Sequence, residues 1–218
     1  MAPCDAACRS GFNIAVEVTR ESVKLYFVRH GETAWSLSGQ HTGRTDIPLT
    51  AHGEDQARRL APYLSSIPFA HVLSSPRQRA RRTCELLALG QPCEINQDLA
   101  EWDYGAYEGQ RTADIRKDRL NWDLWKDGCP DGEMPADVSV RADRLIVYLR
   151  ALQGNVALLS HGHFGSALAA RWIGLAVEEG QHFVIDPASL GILGSDPRHA
   201  EVRAMLLWNA SSEDLSTR

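Results

Sequence analysis

The sequence has no apolar run close to the roughly 20 residues that a membrane-spanning helix requires. Its first stretch, MAPCDAACRSGFN, has no apolar h-region, so no secretory signal peptide is predicted. Residues 1–22 are expected to form an N-terminal tail, in which the roles of Cys4 and Cys8 stay open. We therefore expect a cytoplasmic protein without a membrane partner.

Metal-binding and redox cysteine patterns are also missing. Five cysteines are scattered along the chain, and no two of them have CxxC spacing. This is typical of reduced thiols rather than of a disulfide framework or a zinc site. The spacing of His161 and His163 resembles a metal-ligand pair, but a hydrolytic site needs a further ligand with similarly clear spacing. No metal or other cofactor is predicted.

An excess of positive charge is absent too. The net charge of −5 argues against a nucleic-acid partner, because nucleic acids bind basic surfaces. The composition, with 44% hydrophobic and 23% charged residues, is that of an ordinary globular protein. The 218 residues suffice for one domain with a large core, which we place at 23–210, followed by a C-terminal tail at 211–218. The oligomeric state is left open, a homodimer included.

Strand and helix patterns alternate along the chain. Three short apolar runs, KLYFV (24–28), HVLSS (71–75) and NVALLS (155–160), are typical of buried strands, and a helical pattern follows each of them. Two further strands, within SLGILGS and EVRAMLLW, are expected to form an antiparallel pair near the end. The alternation predicts an α/β fold, a three-layer sandwich with a mainly parallel central sheet.

Local signals predict where two of the helices begin and end. Thr50 is expected to cap a helix that Pro62 ends or kinks. Ser75 is expected to cap the next helix, with Pro76 at its first position and Gly90 as its stop.

A third helix is predicted over residues 136–152. Its apolar side chains recur at helical spacing, which predicts an amphipathic helix. The residues assigned to its apolar face are Val140, Leu145, Val147, Tyr148 and Leu152.

Ionisable side chains follow three of the predicted strands. Arg29 and His30 come after the first strand, the segment 74–79 after the second, and residues 161–163 after the third. Ligands of open α/β sheets lie beyond the carboxyl ends of the strands, and the last segment also opens a helix, whose N–H groups attract anions. Each segment alone is compatible with ordinary polar packing. Together they predict a site for a small anion, and phosphate fits best.

Five motifs carry a family resemblance. In chain order they are RHGETAWS, TGRTDIPLTAHGE, SSPRQRARRT, EWDYGAYEG and SHGHFG. This ordered set, spread over residues 24–208, resembles the histidine phosphatase superfamily, which includes phosphoglycerate mutases. The resemblance implies a phosphoglycerate mutase-like fold and metal-independent hydrolysis of a small phosphorylated metabolite, a sugar phosphate or bisphosphate, through a phosphohistidine.

The resemblance also implies roles for individual residues. His30 would be the nucleophile, and Glu101 would protonate the leaving alkoxide and then activate water. The transferring phosphoryl group would be held by Arg29, Arg79, His161 and the N–H of Gly162. The substrate mouth would be lined by Thr42, Gly43, Trp102, Tyr104 and His163. Glu32 is expected to orient a cation, and Glu108 receives no role.

The general-acid role of Glu101 requires a protonated carboxyl group. A dianionic substrate beside Glu101 would favour that form, which predicts a mildly acidic rate optimum.

Two alternatives remain beside the phosphatase interpretation. One is a phosphoglycerate mutase dependent on 2,3-bisphosphoglycerate. Against it, the segment 111–133 lacks the paired arginines and the proline run that form the lid of those mutases. Ser36 also stands where those mutases usually have Asn. The other is a non-catalytic module that binds a phosphorylated ligand.

Within the family, the chain resembles the branch with fungal sedoheptulose-1,7-bisphosphatase and actinobacterial acid phosphatases. Ser166, where many relatives have Arg, and Met134 depart from that branch.

Overall fold

The structure is a computed structural model that describes residues 23–216, so the predicted N-terminal tail, with Cys4 and Cys8, lies outside the described residues. The strands are β1 (Lys24–Arg29), β2 (Phe69–Ser74), β3 (Cys93–Ile95), β4 (Asn155–Ser160), β5 (Leu190–Ser195) and β6 (Arg203–Ala210). They form one sheet in the order β3-β2-β4-β1-β5-β6. The first four in this order are parallel, and β5 and β6 run as an antiparallel pair beside β1. The predicted mainly parallel α/β sheet is confirmed.

Helices cover both faces of the sheet. They are α1 (Ala34–Ser38), α2 (Ala51–Leu64), α3 (Gln78–Leu87), α4 (Thr112–Asp118), α5 (Leu124–Asp127), α6 (Pro135–Ala151), α7 (Gly162–Trp172) and α8 (Ser212–Ser216). One apolar cluster joins α6 and α7 to one face, and a second joins α2, α3 and α8 to the other. The result is the three-layer arrangement that buried parallel strands require.

The central strands β1 and β4 send side chains into both clusters. Phe27 and Leu158 pack beneath α7, whereas Val28 and Leu159 pack beneath α2 and α3. All four are fully buried. Burial of one such side chain contributes about 1.5–3 kcal/mol, so the core anchors two of the strands whose ends carry the ionisable groups.

The beginning of α2 agrees with the sequence prediction. Thr50 is extended, and its hydroxyl accepts the N–H of Gly53. Pro62 lies in the last turn of α2 and does not end it, since the helix continues to Leu64.

The predicted bounds of α3 are wrong at both ends. The helix begins at Gln78 with Arg77 as its extended N-cap, and Pro76 precedes it. Ser75 lies two residues before the cap, and its hydroxyl oxygen accepts both the Arg77 N–H at 3.3 Å and the His161 ring N–H at 2.6 Å. At the other end the helix stops at Leu87, where Ala88 takes a left-handed conformation at φ 49°, ahead of Gly90.

The predicted apolar face of α6 is confirmed at Leu145 and Leu152 and wrong at the other three residues. Val140, Val147 and Tyr148 are 63%, 70% and 42% exposed. The buried stripe consists of Val138, Ala142, Leu145 and Leu149, at intervals of four, three and four residues. Such spacing keeps side chains on one side of a 3.6-residue helix, whereas the sequence analysis combined apolar residues from two sides.

The C-terminal segment is not entirely a tail. Leu215 of α8 is buried in the cluster on the α2 face, so residues 212–216 pack against the domain. Among residues 23–216, no helix combines the length and apolar character needed to cross a membrane.

Candidate active site

Three chain segments meet at the carboxyl edge of the sheet. His30 follows β1, Ser75 follows β2, and His161 follows β4, which lies between those two strands. The His30 N–H donates to Ser160 O at 3.0 Å, and the Ser75 N–H donates to Leu159 O at 2.9 Å. The rings of His30 and His161 are 5.1 Å apart. The sheet therefore brings the predicted strand-end groups together.

His30 is held as a neutral imidazole with one nitrogen unprotonated. Its Nδ1 lies 2.7 Å from the carbonyl oxygen of Gly31, which can only accept a hydrogen bond, so Nδ1 carries the proton. Burial, followed by the positive charges of Arg79 and Arg29, lowers the pKa of His30 well below its usual range. Nε2 therefore keeps a free electron pair.

His161 has the opposite tautomer. The Nε–H of Arg79 donates to Nδ1 of His161 at 3.2 Å, so the His161 proton lies on Nε2 and is donated to the Ser75 hydroxyl at 2.6 Å. Burial and then Arg79 lower the pKa of His161 well below its usual range. The two histidines thus differ in the nitrogen that carries hydrogen, because their neighbours differ.

Arg79 also holds the loop of residues 42–45, which we call the clamped loop. Its guanidinium donates to the carbonyl oxygens of Thr42, Gly43 and Thr45 at 2.8–3.1 Å. Arg79 is fully buried and lies behind His161. Most of its N–H groups are therefore committed to the protein, and Arg79 acts on the site through His161 and the loop.

Glu108 holds the same loop from its other side. Its carboxylate accepts the N–H groups of Gly43 and Thr45, each at 2.9 Å. Carboxylates accepting backbone N–H bonds form strong, charge-assisted contacts. The sequence analysis assigned no role to Glu108, because the clamped loop lies more than sixty residues earlier in the chain and the contact is visible only in the fold.

Arg29 is the guanidinium that faces the site. Its Nη1 donates to Ile185 O at 2.6 Å, while its buried Nε has no partner among the residues that the structure describes. A Cβ at Gly162 would lie 3.3 Å from Cζ of Arg29, so glycine allows the guanidinium to approach the start of α7 closely. An unpartnered buried N–H beside a helix N-terminus is suited to an anionic oxygen.

Glu101 lies across the first turn of α7. One carboxylate oxygen accepts the N–H groups of Trp102 at 2.9 Å and Phe164 at 2.7 Å, and the other accepts the N–H of His163 at 3.2 Å. These bonds fix the carboxylate at the helix N-terminus. The N–H of Gly162, at the first helical position, has no intrahelical acceptor, and Gly162 lines the cavity described below.

A ring cluster forms one wall of the mouth. The Tyr104 hydroxyl is 2.6 Å from Nδ1 of His163, and the ring of His41 lies 4.7 Å from that of Tyr104. Burial raises the pKa of Tyr104 well above its usual range, so the phenol stays protonated. Burial lowers the pKa of both His163 and His41 to about 4. All three rings are therefore uncharged at neutral pH.

A cavity of about 340 Å³ opens from this site. The predicted residues that line it are Arg29, His30, Thr42, Glu101, Tyr104, Gly162 and His163. Lining residues that the sequence analysis did not assign to the site include Gln40, His41, Thr112, Trp125 and Gln181.

Two of the predicted mouth residues lie elsewhere. Trp102 is fully buried beneath the cavity, where its indole N–H donates to Glu133 O at 2.9 Å. Gly43 is buried, and both its N–H and its carbonyl are taken by Glu108 and Arg79.

Glu32 does not orient a cation. Its carboxylate accepts the Thr50 hydroxyl at 2.7 Å, and so supports the cap of α2. The backbones of Gly31 and Gly53 touch, since a Cβ at Gly31 would lie 2.3 Å from Gly53 O. This contact holds the start of α2 against the turn that carries His30.

The residues from 23 to 216 include no group of three or more His, Cys, Asp or Glu side chains placed to hold a metal ion. Both ring nitrogens of His161 are already hydrogen-bonded.

Two histidines, a buried arginine and the start of a helix thus meet at the carboxyl edge of an α/β sheet, an arrangement suited to an anionic ligand. Comparison of the sequence with known families gives the specific assignment: the chain belongs to the histidine phosphatase superfamily (branch 1), whose family description matches residues 25–208.

Similar proteins support this membership. An acid phosphatase of Mycobacterium tuberculosis is 41% identical over 175 residues, covering 78% of this chain and 86% of that protein. A sedoheptulose 1,7-bisphosphatase of Saccharomyces cerevisiae is 35% identical, covering 72% of this chain and 69% of that protein. The solved structure of a Mycobacterium tuberculosis open reading frame product superimposes on this chain with a TM-score of 0.79 at 38% identity. The alignment covers 87% of this chain and 98% of that chain.

Proposed function

We propose that this chain is a metal-independent phosphomonoesterase that hydrolyses a small phosphorylated metabolite through a phosphohistidine on His30. The single observation that carries the proposal is the state of His30. Its Nδ1–H is tied to Gly31 O, its pKa is lowered by burial and by two arginines, and it lines the cavity. An unprotonated Nε2 beside guanidinium groups is a nucleophile placed for an anionic electrophile.

The first step transfers the phosphoryl group. Nε2 of His30 attacks phosphorus while the ester P–O bond breaks, and Glu101 donates a proton to the departing alkoxide. Charge on the equatorial oxygens is offset by the free Nε–H of Arg29 and by the N–H of Gly162. A dianionic phosphate beside Glu101 disfavours a second negative charge there, which favours the protonated acid.

The second step releases phosphate. A water molecule attacks the phosphohistidine, Glu101 accepts its proton, and the P–N bond breaks to restore neutral His30. One difficult displacement thus becomes two easier ones with the same carboxylate serving in both directions. The named activities of the Mycobacterium tuberculosis and Saccharomyces cerevisiae relatives, both phosphatases, support this chemistry.

The experiment is phosphate release from an aryl phosphate and a panel of phosphorylated metabolites, with EDTA present. We expect turnover that the His30→Ala protein lacks. Interconversion of 3-phosphoglycerate and 2-phosphoglycerate on addition of bisphosphoglycerate, without net phosphate release, would replace the proposal by the mutase alternative. Binding of phosphorylated ligands without turnover by the unaltered chain would support a non-catalytic module.

A further inference from the structure

The outer part of the cavity has a consistent chemical character, which bears on the substrate of the proposed function. Six polar side chains that line the cavity away from Arg29 and Glu101, which we call the outer lining, are Ser36, Gln40, Thr42, Thr112, Ser166 and Gln181. All six are neutral hydroxyl or amide side chains. The aromatic rings of Tyr104 and Trp125 complete this wall.

Three hydroxyl groups of the outer lining have their hydrogens committed to the protein. The Ser36 hydroxyl donates to Thr33 O at 3.0 Å, and the Thr42 hydroxyl donates to Gln40 O at 3.1 Å. The Ser166 hydroxyl, which has one hydrogen, lies 2.6 Å from Phe183 O. A hydroxyl that has donated its hydrogen still has lone pairs. These three side chains therefore offer acceptors to a ligand.

Permanent charge in the cavity is confined to its inner end. Apart from the carboxyl group of Glu101, which lies at the inner end, Arg29 is the only lining residue of the described chain with a charged side chain at neutral pH, because His30, His41 and His163 have lowered pKa values. Arg111 lies next to Thr112 in the chain, but its guanidinium is bonded to Asp114 at 2.7 Å. No unpaired cation of the described chain lines the outer part.

We propose that the outer lining is a subsite for the neutral, hydroxyl-rich leaving group of a phosphate monoester, and that it discriminates against a second phosphate. Hydroxyl groups of a polyol donate hydrogen bonds, which the acceptors of Ser36, Thr42 and Ser166 can receive. A phosphate dianion has only acceptors, so it would meet these oxygen lone pairs, and the outer lining would offer it neutral amide N–H groups of Gln40 and Gln181 but no compensating cation. Buried polar groups left without partners make such discrimination large.

This inference rests on the proposed function, and it narrows the substrate from sugar phosphates and bisphosphates to monophosphates. The test compares kcat/KM for three substrates that share one reacting phosphate: glucose 6-phosphate, glucose 1,6-bisphosphate and hexyl phosphate. We expect kcat/KM for glucose 6-phosphate to exceed kcat/KM for each of the other two substrates by about tenfold or more. The proposal would be overturned if kcat/KM for the bisphosphate equalled or exceeded kcat/KM for the monophosphate. It would also be overturned if kcat/KM for hexyl phosphate equalled that for glucose 6-phosphate.

A charge placed at the rim tests the cause of the preference. Gln181 is exposed and lines the cavity, so Gln181→Arg adds a guanidinium where the distal phosphate would lie. We expect the bisphosphate-to-monophosphate ratio of kcat/KM to rise about tenfold or more. His182→Arg is the matched control, because His182 is its exposed neighbour outside the lining and should leave the ratio unchanged. An unchanged ratio in Gln181→Arg would contradict the charge argument.

Binding separates this proposal from the proposed function. Calorimetric titration of the His30→Ala protein with glucose 6-phosphate and with the bisphosphate compares the two ligands without turnover. Tighter binding of the monophosphate supports the subsite even if no phosphate is released by the unaltered chain. Tighter binding of the bisphosphate overturns the subsite even if the phosphatase assay succeeds.

Discussion

Nε of Arg79 donates a hydrogen bond to Nδ1 of His161 across 3.2 Å, and this contact decides which nitrogen of His161 carries a proton. The same guanidinium holds three carbonyl groups of the clamped loop. A lysine has no second planar nitrogen with which to make both sets of contacts. Arg79 is therefore a positioning residue for His161 and for the loop that carries Thr42.

Replacement of Arg79 by lysine should lower kcat by about 100-fold or more, because a preorganised donor network around the phosphoryl site is lost. Steady-state kinetics with an aryl phosphate measures the effect. Arg81→Lys is the matched control, since Arg81 lies on the exposed face of the same helix. Equal rates in the two variants would show that Arg79 has no part in the site.

Glu108→Gln should destabilise the clamped loop. The amide has one carbonyl oxygen in place of the two carboxylate oxygens that accept the N–H groups of Gly43 and Thr45, and its NH₂ group would face those donors. We expect a loss of about 1–3 kcal/mol in the free energy of unfolding and a raised KM. Urea denaturation and kinetics check both, with the exposed Glu94→Gln as control. Unchanged KM would show that the loop position does not affect substrate binding.

Glu101→Gln should show a strong dependence on the leaving group. Alkyl phosphates need a proton on the departing alkoxide, so we expect a rate loss of about 10²–10⁴-fold for them. Nitrophenolate is a good leaving group without a proton, so the rate with a nitrophenyl phosphate should fall much less. We also expect the mildly acidic rate optimum of the unaltered protein to flatten in this variant. The same loss for both ester types would argue for a purely structural role.

Stability should fall in mildly acidic solution because of buried histidines with lowered pKa values, among them His41 and His163. The pKa values of His41 and His163 are about 4, below the usual 6.5, so the unfolded chain binds more protons between these values. Their contribution to the free energy of unfolding is fully present above about pH 6.5 and is lost as the pH falls toward about 4. The loss amounts to about 3 kcal/mol for each histidine.

Urea denaturation at pH 7, 6 and 5 measures this loss. His163→Gln should make the decrease shallower, since glutamine cannot titrate and its amide can still meet the Tyr104 hydroxyl. A decrease as steep as in the unaltered protein would show that His163 does not contribute.

The strand-end residues could be predicted from sequence because geometry is simple there. Parallel strands end at the same edge of a sheet. Arg29, His30 and His161 therefore lie close together regardless of the conformation of the loops between them. Ser75 lay at that edge too, but its hydroxyl had two possible partners, the helix start and the His161 ring. Only the fold shows that the hydroxyl contacts both, the N–H of Arg77 and the His161 ring.

Contacts between distant loops could not be predicted in this way. Glu108 and Gly43 are joined by a hydrogen bond across 65 positions of the chain, and no local pattern marks it. Trp102 follows Glu101 directly, yet it points into the core while the carboxylate lines the cavity. Adjacent residues of an irregular loop have no fixed side-chain period, so sequence alone does not separate core from mouth there.

The central claim is that His30 carries the phosphoryl group during turnover. Rapid-quench labelling with an aryl phosphate bearing ³²P tests it directly, with Glu101→Gln included because loss of the base should slow hydrolysis and let the intermediate accumulate. We predict a protein-bound label that is stable in alkali, is released by acid and lies on the peptide containing His30. The His163→Gln protein should be labelled, and the His30→Ala protein should not. Phosphate release without any bound label, or label that persists in His30→Ala, would contradict the account.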